Sequence, residues 1–291
     1  MRLTRREFVQ GTVAAVSATA LGVGPVFGKE GVAMTPAINP VYLTGSMENW
    51  PLGELAAMGY RGLELPPECL DRTSSWLPAA KKAGLRPLCI NALPDLCPYL
   101  TGSLSDAVPY RRRSTLDRLL QTLELMRKED IPFLVVAPSR LAENYQSPAE
   151  ARSLLLESLR ELAGAGDTTI LLEAAPFRLF ASSQEIAGVV DEIALPNLAA
   201  ALDVGHALLV GENPSPAATT LGARLKYVQV HDADARPGIP LLDRHLPLGL
   251  GSLSKEEVKS AVGDLPFAMS ITAPNDPIPA ARAALEWLVH K

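Results

Sequence analysis

Histidines and aspartates collect in one stretch of this sequence. Three of its four histidines, His206, His231 and His245, fall within about forty residues of one another. Each has aspartates nearby, in Asp203-Val204-Gly205-His206, His231-Asp232-Ala233-Asp234 and Asp243-Arg244-His245. Imidazoles and carboxylates both offer an unprotonated atom that can bind a metal at neutral pH. Because only a few loop residues separate them here, they can converge on one cation. The stretch predicts a divalent metal site, for zinc or manganese.

A further carboxylate interrupts an apolar run. Glu173 follows Ile170-Leu171-Leu172 and precedes two alanines. Burying a carboxylate in such a run is costly unless it is paired or bound to a metal. Glu173 is therefore a candidate for the same site.

The elements that must position these residues alternate between short apolar runs and longer amphipathic stretches. Three- and four-residue spacing predicts helices over Ser114–Lys128, Pro148–Ala163, Ser183–Ile193, Lys255–Val262 and Ala280–His290. The strand candidates number eight: Val41–Thr44, Gly62–Leu65, Arg86–Asn91, Phe133–Ala137, Thr169–Glu173, Ala199–Asp203, Tyr227–His231 and Phe267–Ile271. This alternation is typical of βαβ units and a parallel sheet.

Two α/β architectures fit that alternation. An open doubly wound sheet usually carries a Gly-rich turn after an early strand, and this sequence has no G-x-G-x-x-G. We therefore predict a single α/β domain over residues 34–291, a (β/α)8 TIM barrel. Active sites of such barrels lie at the carboxyl ends of the strands, where the candidate residues fall.

Several strings resemble the xylose isomerase-like barrels of the sugar isomerase and epimerase superfamily, which includes the type 2 apurinic endonucleases. They are Leu172-Glu173, Ala201-Leu202-Asp203-Val204-Gly205-His206, Tyr227-Val228-Gln229-Val230-His231-Asp232 and, similar to the family's D-x-H-x-P-x-G-x-G segment, Asp243 to Gly251. The resemblance implies that Glu173 and Asp203 bind metal and that Glu173 and His206 are catalytic. It also implies a metal subsite of His206, Asp243 and His245, as in the multinuclear members.

Two positions depart from the family pattern. The family's seventh-strand histidine is replaced by Gln229, and His231 lies on the same side of that strand. We expect either that His231 reaches the site from nearer its rim or that Gln229 offers a weaker carbonyl oxygen. The eighth strand, Phe267–Ile271, lacks the glutamate that binds metal and moves protons in the family. Glu173 alone cannot act as both bases of a two-base epimerase.

The resemblance places substrate-facing polar groups at the ends of the second and third strands, here Glu64 and Asn91, and at Gln229. Two functions stay open. One is a metal-dependent enzyme acting on a sugar or polyol by isomerisation, epimerisation or modified lyase or hydrolase chemistry. The other is an exported barrel that has lost catalysis and binds a carbohydrate or small polyol. A metal analysis separates them.

The first thirty-three residues differ from the rest. Thr4-Arg5-Arg6-Glu7-Phe8-Val9-Gln10 resembles the twin-arginine export motif, and an uncharged run from Phe8 to Gly28 follows it. We expect residues 1–33 to direct export, to the periplasm or an equivalent compartment, without stable membrane insertion. The net charge of −5 argues against a nucleic-acid partner. Cys69, Cys89 and Cys97 are expected to be free thiols, although a Cys89–Cys97 bridge is conceivable.

Overall fold

Eight parallel strands close into a barrel in the computed structural model, each pairing with its neighbours in chain order. The structure describes residues 35–92, 103–138, 147–176, 178–236 and 242–289. The strands are β1 (Pro36–Ile38), β2 (Gly62–Leu65), β3 (Arg86–Asn91), β4 (Phe133–Val136), β5 (Thr169–Glu173), β6 (Leu198–Asp203), β7 (Leu225–Val230) and β8 (Phe267–Met269). The prediction of a (β/α)8 TIM barrel is confirmed. The predicted export segment, Cys97 and His290 lie outside the described residues.

Helices surround the barrel and bury their apolar faces against the strands. They are α1 (Pro40–Thr44), α2 (Leu52–Met58), α3 (Thr73–Ala83), α4 (Pro109–Lys128), α5 (Pro148–Gly164), α6 (Ser183–Ile193), α7 (Val204–Leu209), α8 (Pro214–Leu221), α9 (Lys255–Val262) and α10 (Pro277–Val289). Two 3-10 helices, Pro67–Arg72 and Gly222–Arg224, complete the connections. None of the helices in the described ranges is long and apolar enough to cross a membrane.

The predicted first strand is wrong. Val41–Thr44 is part of helix α1, and the strand that pairs with β2 and β8 is the preceding segment Pro36–Ile38. The Asn39 side chain accepts the backbone N–H groups of Val41 and Tyr42, and Pro40 occupies the first helical position. An Asn-Pro pair is a common helix start, and it overrides the β-branched character of the residues that follow.

Two aromatic rings fill the centre of the barrel. Phe133 on β4 and Tyr227 on β7 meet with ring centroids 5.6 Å apart, although their strands are not neighbours. Gly62 lines the same interior, because a Cβ there would lie 2.8 Å from the Cβ of Ala37. Small residues next to large ones fill such an interior without voids. The lower barrel is therefore a packed core, and polar chemistry is confined to its carboxyl end.

Cys69 and Cys89 are buried free thiols, as the sequence predicts. The alternative bridge involves Cys97, which the structure does not describe. Several other predicted elements match closely, among them β2, β3, β5, α6 and α9.

Candidate metal and catalytic site

Buried polar side chains stand at the carboxyl ends of most strands of the barrel. Alternation along each strand puts these residues on the inner face, one step above the aromatic core. They are Asn39 after β1, Glu64 on β2, Asn91 on β3, Glu173 on β5, Asp203 on β6, Gln229 on β7 and Ser270 after β8. The barrel mouth thus has a polar floor whose members come from nearly every strand.

Five of these seven residues form a network around Glu64. Its carboxylate accepts hydrogen bonds from Asn39 Nδ2 at 3.2 Å, Asn91 Nδ2 at 3.3 Å and Ser270 Oγ at 3.1 Å. Gln229 Nε2 donates to both carboxylate oxygens, at 3.2 and 3.1 Å. Burial raises the pKa of Glu64, and these bonds oppose the rise. Strand β8 ends without a carboxylate, and the first residue after it, Ser270, donates to Glu64.

The remaining two, Glu173 and Asp203, contact a cluster of three histidines around Asp243. Nε2 of His206 lies 2.9 Å from Asp243 Oδ2, and Nε2 of His245 lies 3.4 Å from the same oxygen. Nε2 of His231 lies 3.9 Å from Asp243 Oδ1 and 2.8 Å from Asp203 Oδ1. One ligand atom from each of the three histidines and Asp243 lies within 4.8 Å of all the others. Four donors at this separation can surround a single ion.

The second nitrogen of each imidazole is held from outside the cluster. Its partners are the Glu173 carboxylate for His206 at 2.7 Å, the Asp232 carbonyl for His231 at 3.1 Å and the Ser270 carbonyl for His245 at 2.6 Å. A carbonyl oxygen only accepts, so Nδ1 of His231 and of His245 must carry the proton. This bond sets the tautomer in metal sites, because it leaves the Nε2 lone pair facing inward.

Protons and charges in the cluster follow the same geometry. Burial lowers the pKa of His206, but Asp203, Asp243 and Glu173 outweigh it and raise the pKa well above its usual value. Burial raises the pKa of Asp243, yet His206 and His245 outweigh it and lower that pKa far below the usual range. Burial raises the pKa of Glu173 to about 7, in spite of His206. Without a bound cation, the surrounding carboxylates therefore favour the protonated form of His206.

Ring stacking and a glycine complete the packing of the histidines. The His245 ring lies between two others, with centroids 4.0 Å from His231 and 4.1 Å from Tyr42. A Cβ on Gly205 would lie 2.1 Å from Cε1 of His231. Gly205, in the Asp-Val-Gly-His string, is thus the residue that makes room for His231.

Asp232 anchors the loop that carries Asp243 and His245. Its Oδ1 accepts the backbone N–H groups of Ala233 at 2.9 Å and Leu253 at 3.0 Å, and its Oδ2 accepts those of Gly249 and Gly251, both at 2.9 Å. A Cβ on Gly251 would lie 2.3 Å from Oδ1, so only glycine permits this approach. The glycines of the P-x-G-x-G segment thus allow the loop backbone to pack closely around the Asp232 carboxylate.

We expect Asp232→Ala to destabilise the protein by about 3 kcal/mol, because it leaves four buried or partly buried backbone N–H groups without their acceptor. Urea unfolding measures the change, and hydrogen exchange of residues 242–253 locates it. Asp234→Ala is the matched control, since Asp234 pairs with the exposed side chain of Arg236 at 2.6 Å. The control should cost less than about 1 kcal/mol. Equal losses in the two variants would contradict the anchoring role.

The predicted site residues all lie at the carboxyl end of the barrel and form connected groups. The predicted metal ligands fall into two sets that share His206: Glu173, Asp203 and His206, and His206, His231, Asp243 and His245. The predicted substrate-binding residues Glu64, Asn91 and Gln229 are bonded to one another instead of standing free. Their binding roles stay predictions.

Sequence reasoning missed Asn39 and Tyr42, because the first strand was placed too late. The Asn-Pro pair is the signal that would have located them. It also assigned no role to Asp232, although the P-x-G-x-G spacing beyond it indicates a loop whose backbone approaches another group closely.

Comparison with known proteins identifies the family. Residues 52–290 match the xylose isomerase-like TIM barrel family. None of the curated proteins compared matches this sequence.

Several solved structures share the fold. 3-Keto-D-glucoside 4-epimerase YcjR from E. coli has a TM-score of 0.70 at 18% identity, with 88% of this chain and 98% of that chain covered. D-Psicose 3-epimerase from Clostridium cellulolyticum H10, solved with D-tagatose, has a TM-score of 0.71 at 17% identity, with the same coverage of both chains. The IolI protein, solved with a bound zinc atom, has a TM-score of 0.70 at 17% identity, again with 88% of this chain and 98% of that chain covered. With the sequence match over most of its length, this chain belongs to the xylose isomerase-like TIM barrel family.

Proposed function

We propose that the protein is a metal-dependent isomerase of a sugar or related polyol. One observation carries the proposal: three imidazoles turn Nε2 toward Asp243, while each Nδ1 is bonded outside the cluster. Metal-bound imidazoles almost always donate their other ring N–H to a carboxylate or a carbonyl in this way, which fixes the nitrogen that faces the ion. The zinc atom of the IolI structure supports the choice of cation.

The donor set fits zinc or manganese. His206, His231, His245 and Asp243 would hold the ion, and imidazole with one carboxylate suits both metals. Among the described residues, Oε2 of Glu173 is buried without a hydrogen-bond partner. Such an atom is costly to bury unless a ligand reaches it. When bound, the cation polarises a substrate carbonyl oxygen and makes the adjacent C–H group more acidic.

Glu173 is the candidate base. Oε1 accepts the Nδ1 proton of His206 at 2.7 Å, and Oε2 is left to face a substrate. It takes a proton from the hydroxyl-bearing carbon next to the carbonyl, which leaves an enediolate, and returns it to the former carbonyl carbon. The proton of the hydroxyl group passes to the neighbouring oxygen, so the step only redistributes protons and electrons within the substrate and needs no other reactant.

A single base favours isomerisation over epimerisation. Epimerisation requires that the proton return on the opposite face, from a second group across the substrate. Glu64 is another interior carboxylate, but its oxygens already accept from Asn39, Asn91, Gln229 and Ser270. Glu173 by itself moves a proton between adjacent carbons on one face, which interconverts an aldose and a ketose.

The substrate class follows from the polar floor and from the relatives. Oε1 of Gln229 is buried with no hydrogen-bond partner in the described part of the chain, and the bonds of its amide nitrogen to Glu64 fix its orientation. A sugar hydroxyl is a donor that would satisfy it. The relatives named above include an epimerase solved with D-tagatose, which supports a monosaccharide unit at the site.

Proton exchange tests the reaction even where net turnover is slow. Zinc- or manganese-loaded protein, incubated with a panel of aldoses and ketoses in D2O, should incorporate deuterium next to the carbonyl carbon. Glu173→Gln should lower the exchange rate about 10² to 10⁴-fold. Glu157→Gln, on the exposed face of α5, is the control and should leave it unchanged.

The alternative function has its own signature in that experiment. Gln229 and Ser270 stand where the family places ligands, and both are bonded to Glu64, which favours a barrel that only binds carbohydrate. Saturable sugar binding with no deuterium incorporation at any metal loading would establish that alternative and refute the isomerase.

We further propose that residues 1–33 export the protein by the twin-arginine route. The Thr4-Arg5-Arg6 string before an uncharged run supports it. Replacing Arg5 and Arg6 together by Lys should retain the protein inside the cell, because receptor recognition of the motif requires the arginine pair. Cell fractionation measures the distribution. Export of the double variant at the wild-type level would refute this route.

A further inference from the structure

A cavity of about 570 Å³ opens between segments that follow β1 and β2, and none of its lining residues takes part in the chemistry described above. One wall is the segment between α1 and α2, with Met47, Glu48, Asn49 and Trp50. The other is formed by the 3-10 helix Pro67–Arg72 and the first turns of α3. Sites for small organic ligands have volumes of about 300–1,000 Å³, and this cavity falls in that range.

The cavity is at the same end of the barrel as the histidine cluster. Its two walls follow directly after β1 and β2, so both start at the carboxyl ends of strands. Helix α1 connects the two places, because its Tyr42 stacks on the ring of His245 and its chain continues into Trp50. A ligand bound at the histidine cluster therefore has this cavity on the β1 and β2 side of the mouth.

Two tryptophans give the cavity a fixed aromatic wall. The rings of Trp50 and Trp76 lie 5.9 Å apart at an interplanar angle of 49°. Nε1 of Trp50 donates to the Ser46 carbonyl, and Nε1 of Trp76 donates to the Cys69 carbonyl, both at 2.9 Å. Trp76 is buried, with 6% of its surface exposed, so the partly exposed Trp50 supplies the ring that a ligand can reach. The C–H face of a sugar ring packs on such a surface.

The rim carries both signs of charge. Arg72 Nη1 and Glu48 Oε1 are 4.0 Å apart, and both side chains are largely exposed, at 59% and 75%. Pairs of this kind are weak and their side chains reorient readily toward a ligand. Asp71 and the hydroxyls of Ser74 and Ser75 add further polar groups. Mixed charge with hydroxyls matches a neutral polyhydroxylated ligand better than a phosphate or a carboxylate.

We propose that this cavity binds a second sugar ring, so that the substrate is a glycoside or disaccharide whose reacting ring lies at the histidine cluster. The identification of the reacting ring rests on the proposed function. Binding of the second ring depends on Trp50, Trp76 and the rim alone, and it requires no metal.

Intrinsic fluorescence tests the proposal directly. The chain has three tryptophans, and Trp287→Phe leaves only the two that line the cavity. Metal-free protein carrying this change is titrated with cellobiose and maltose, with glucose for comparison. We expect a saturable change in emission, with a disaccharide binding more tightly than glucose. Adding Trp50→Ala should weaken that binding about tenfold, since it removes half of the aromatic wall.

A second variant guards against misfolding of the first. Arg72→Met keeps the length of an exposed side chain while it removes the hydrogen-bond donors, and it should also weaken disaccharide binding. Absence of any saturable signal with the disaccharides, or affinity unchanged by both variants, would overturn the proposal. Disaccharide binding in a protein that takes up no metal would uphold this inference and refute the metalloenzyme. Metal binding and proton exchange without disaccharide binding would do the reverse.

Discussion

Asp243→Ala should lower the affinity for Zn²⁺ or Mn²⁺ by more than about 100-fold, since even the outer partners of metal ligands cost 10–100-fold when removed. Asp243 is the only carboxylate among the four grouped donors, and all three Nε2 atoms lie within 3.9 Å of its oxygens. Without it, the imidazoles lose the charge that balances a divalent ion. Calorimetry on chelator-treated protein measures the affinity.

The control is Asp264→Ala, which removes an exposed aspartate and should bind metal like the wild type. Metal should also raise the thermal midpoint of the wild type in proportion to its free concentration, because an ion that binds only the folded state stabilises it. Asp243→Ala should lose most of that increase. Wild-type affinity in Asp243→Ala, or no micromolar binding by the wild type, would contradict the assignment of the site.

Gly205→Ala should destabilise the protein by about 1–3 kcal/mol, the usual cost of forcing extra atoms into a packed interior. The added Cβ would lie 2.1 Å from Cε1 and 2.5 Å from both ring nitrogens of His231, so the imidazole must move. His231 is fully buried and stacks on His245, which leaves it no free volume. Chemical denaturation measures the loss.

Gly188→Ala is the matched control. It lies within helix α6, where an added Cβ would have nothing within 4 Å, so alanine there should stabilise by about 0.5–1 kcal/mol. Metal affinity adds a second measurement. Gly205→Ala displaces one ligand but leaves His206, Asp243 and His245, so its affinity should fall between those of the wild type and Asp243→Ala. Two glycine variants of equal stability would show that His231 is not held by contact with Gly205.

The strand ends are where prediction from the sequence succeeded. Glu173 and Asp203 each close an apolar run, and a period of two along the strand settles which face they occupy. The same reasoning failed at the first strand, because Pro36–Ile38 is too short to show alternation and Val41–Thr44 imitates it. The hydrogen bonds from the helix backbone to the Asn39 side chain make residues 40–44 helical. A search for hydrophobic periodicity does not detect such a helix cap.

The histidine cluster could be predicted only as a set of residues. That His206, Asp243 and His245 approach one another follows from the family strings, but the place of His231 depends on the space above Gly205. The side chains of Gln229 and Asn91, both predicted to bind substrate, donate hydrogen bonds to Glu64. Asn91 lies on the neighbouring strand β3, but Gln229 reaches Glu64 from β7, across the barrel. Contacts between strands that are not neighbours arise from barrel closure.

By itself, the sequence determined that eight strands alternate with helices and that carboxylates and histidines stand at their carboxyl ends, because periodicity and apolar runs are local properties of the chain. Only the tertiary structure decided which nitrogen of each imidazole faces inward. That choice belongs to acceptors from elsewhere in the fold, such as the Glu173 carboxylate for His206 and the Ser270 carbonyl for His245. Glu173 is 33 residues from His206 in the sequence, and Ser270 is 25 residues from His245. These acceptors reach the imidazoles only once the barrel has closed.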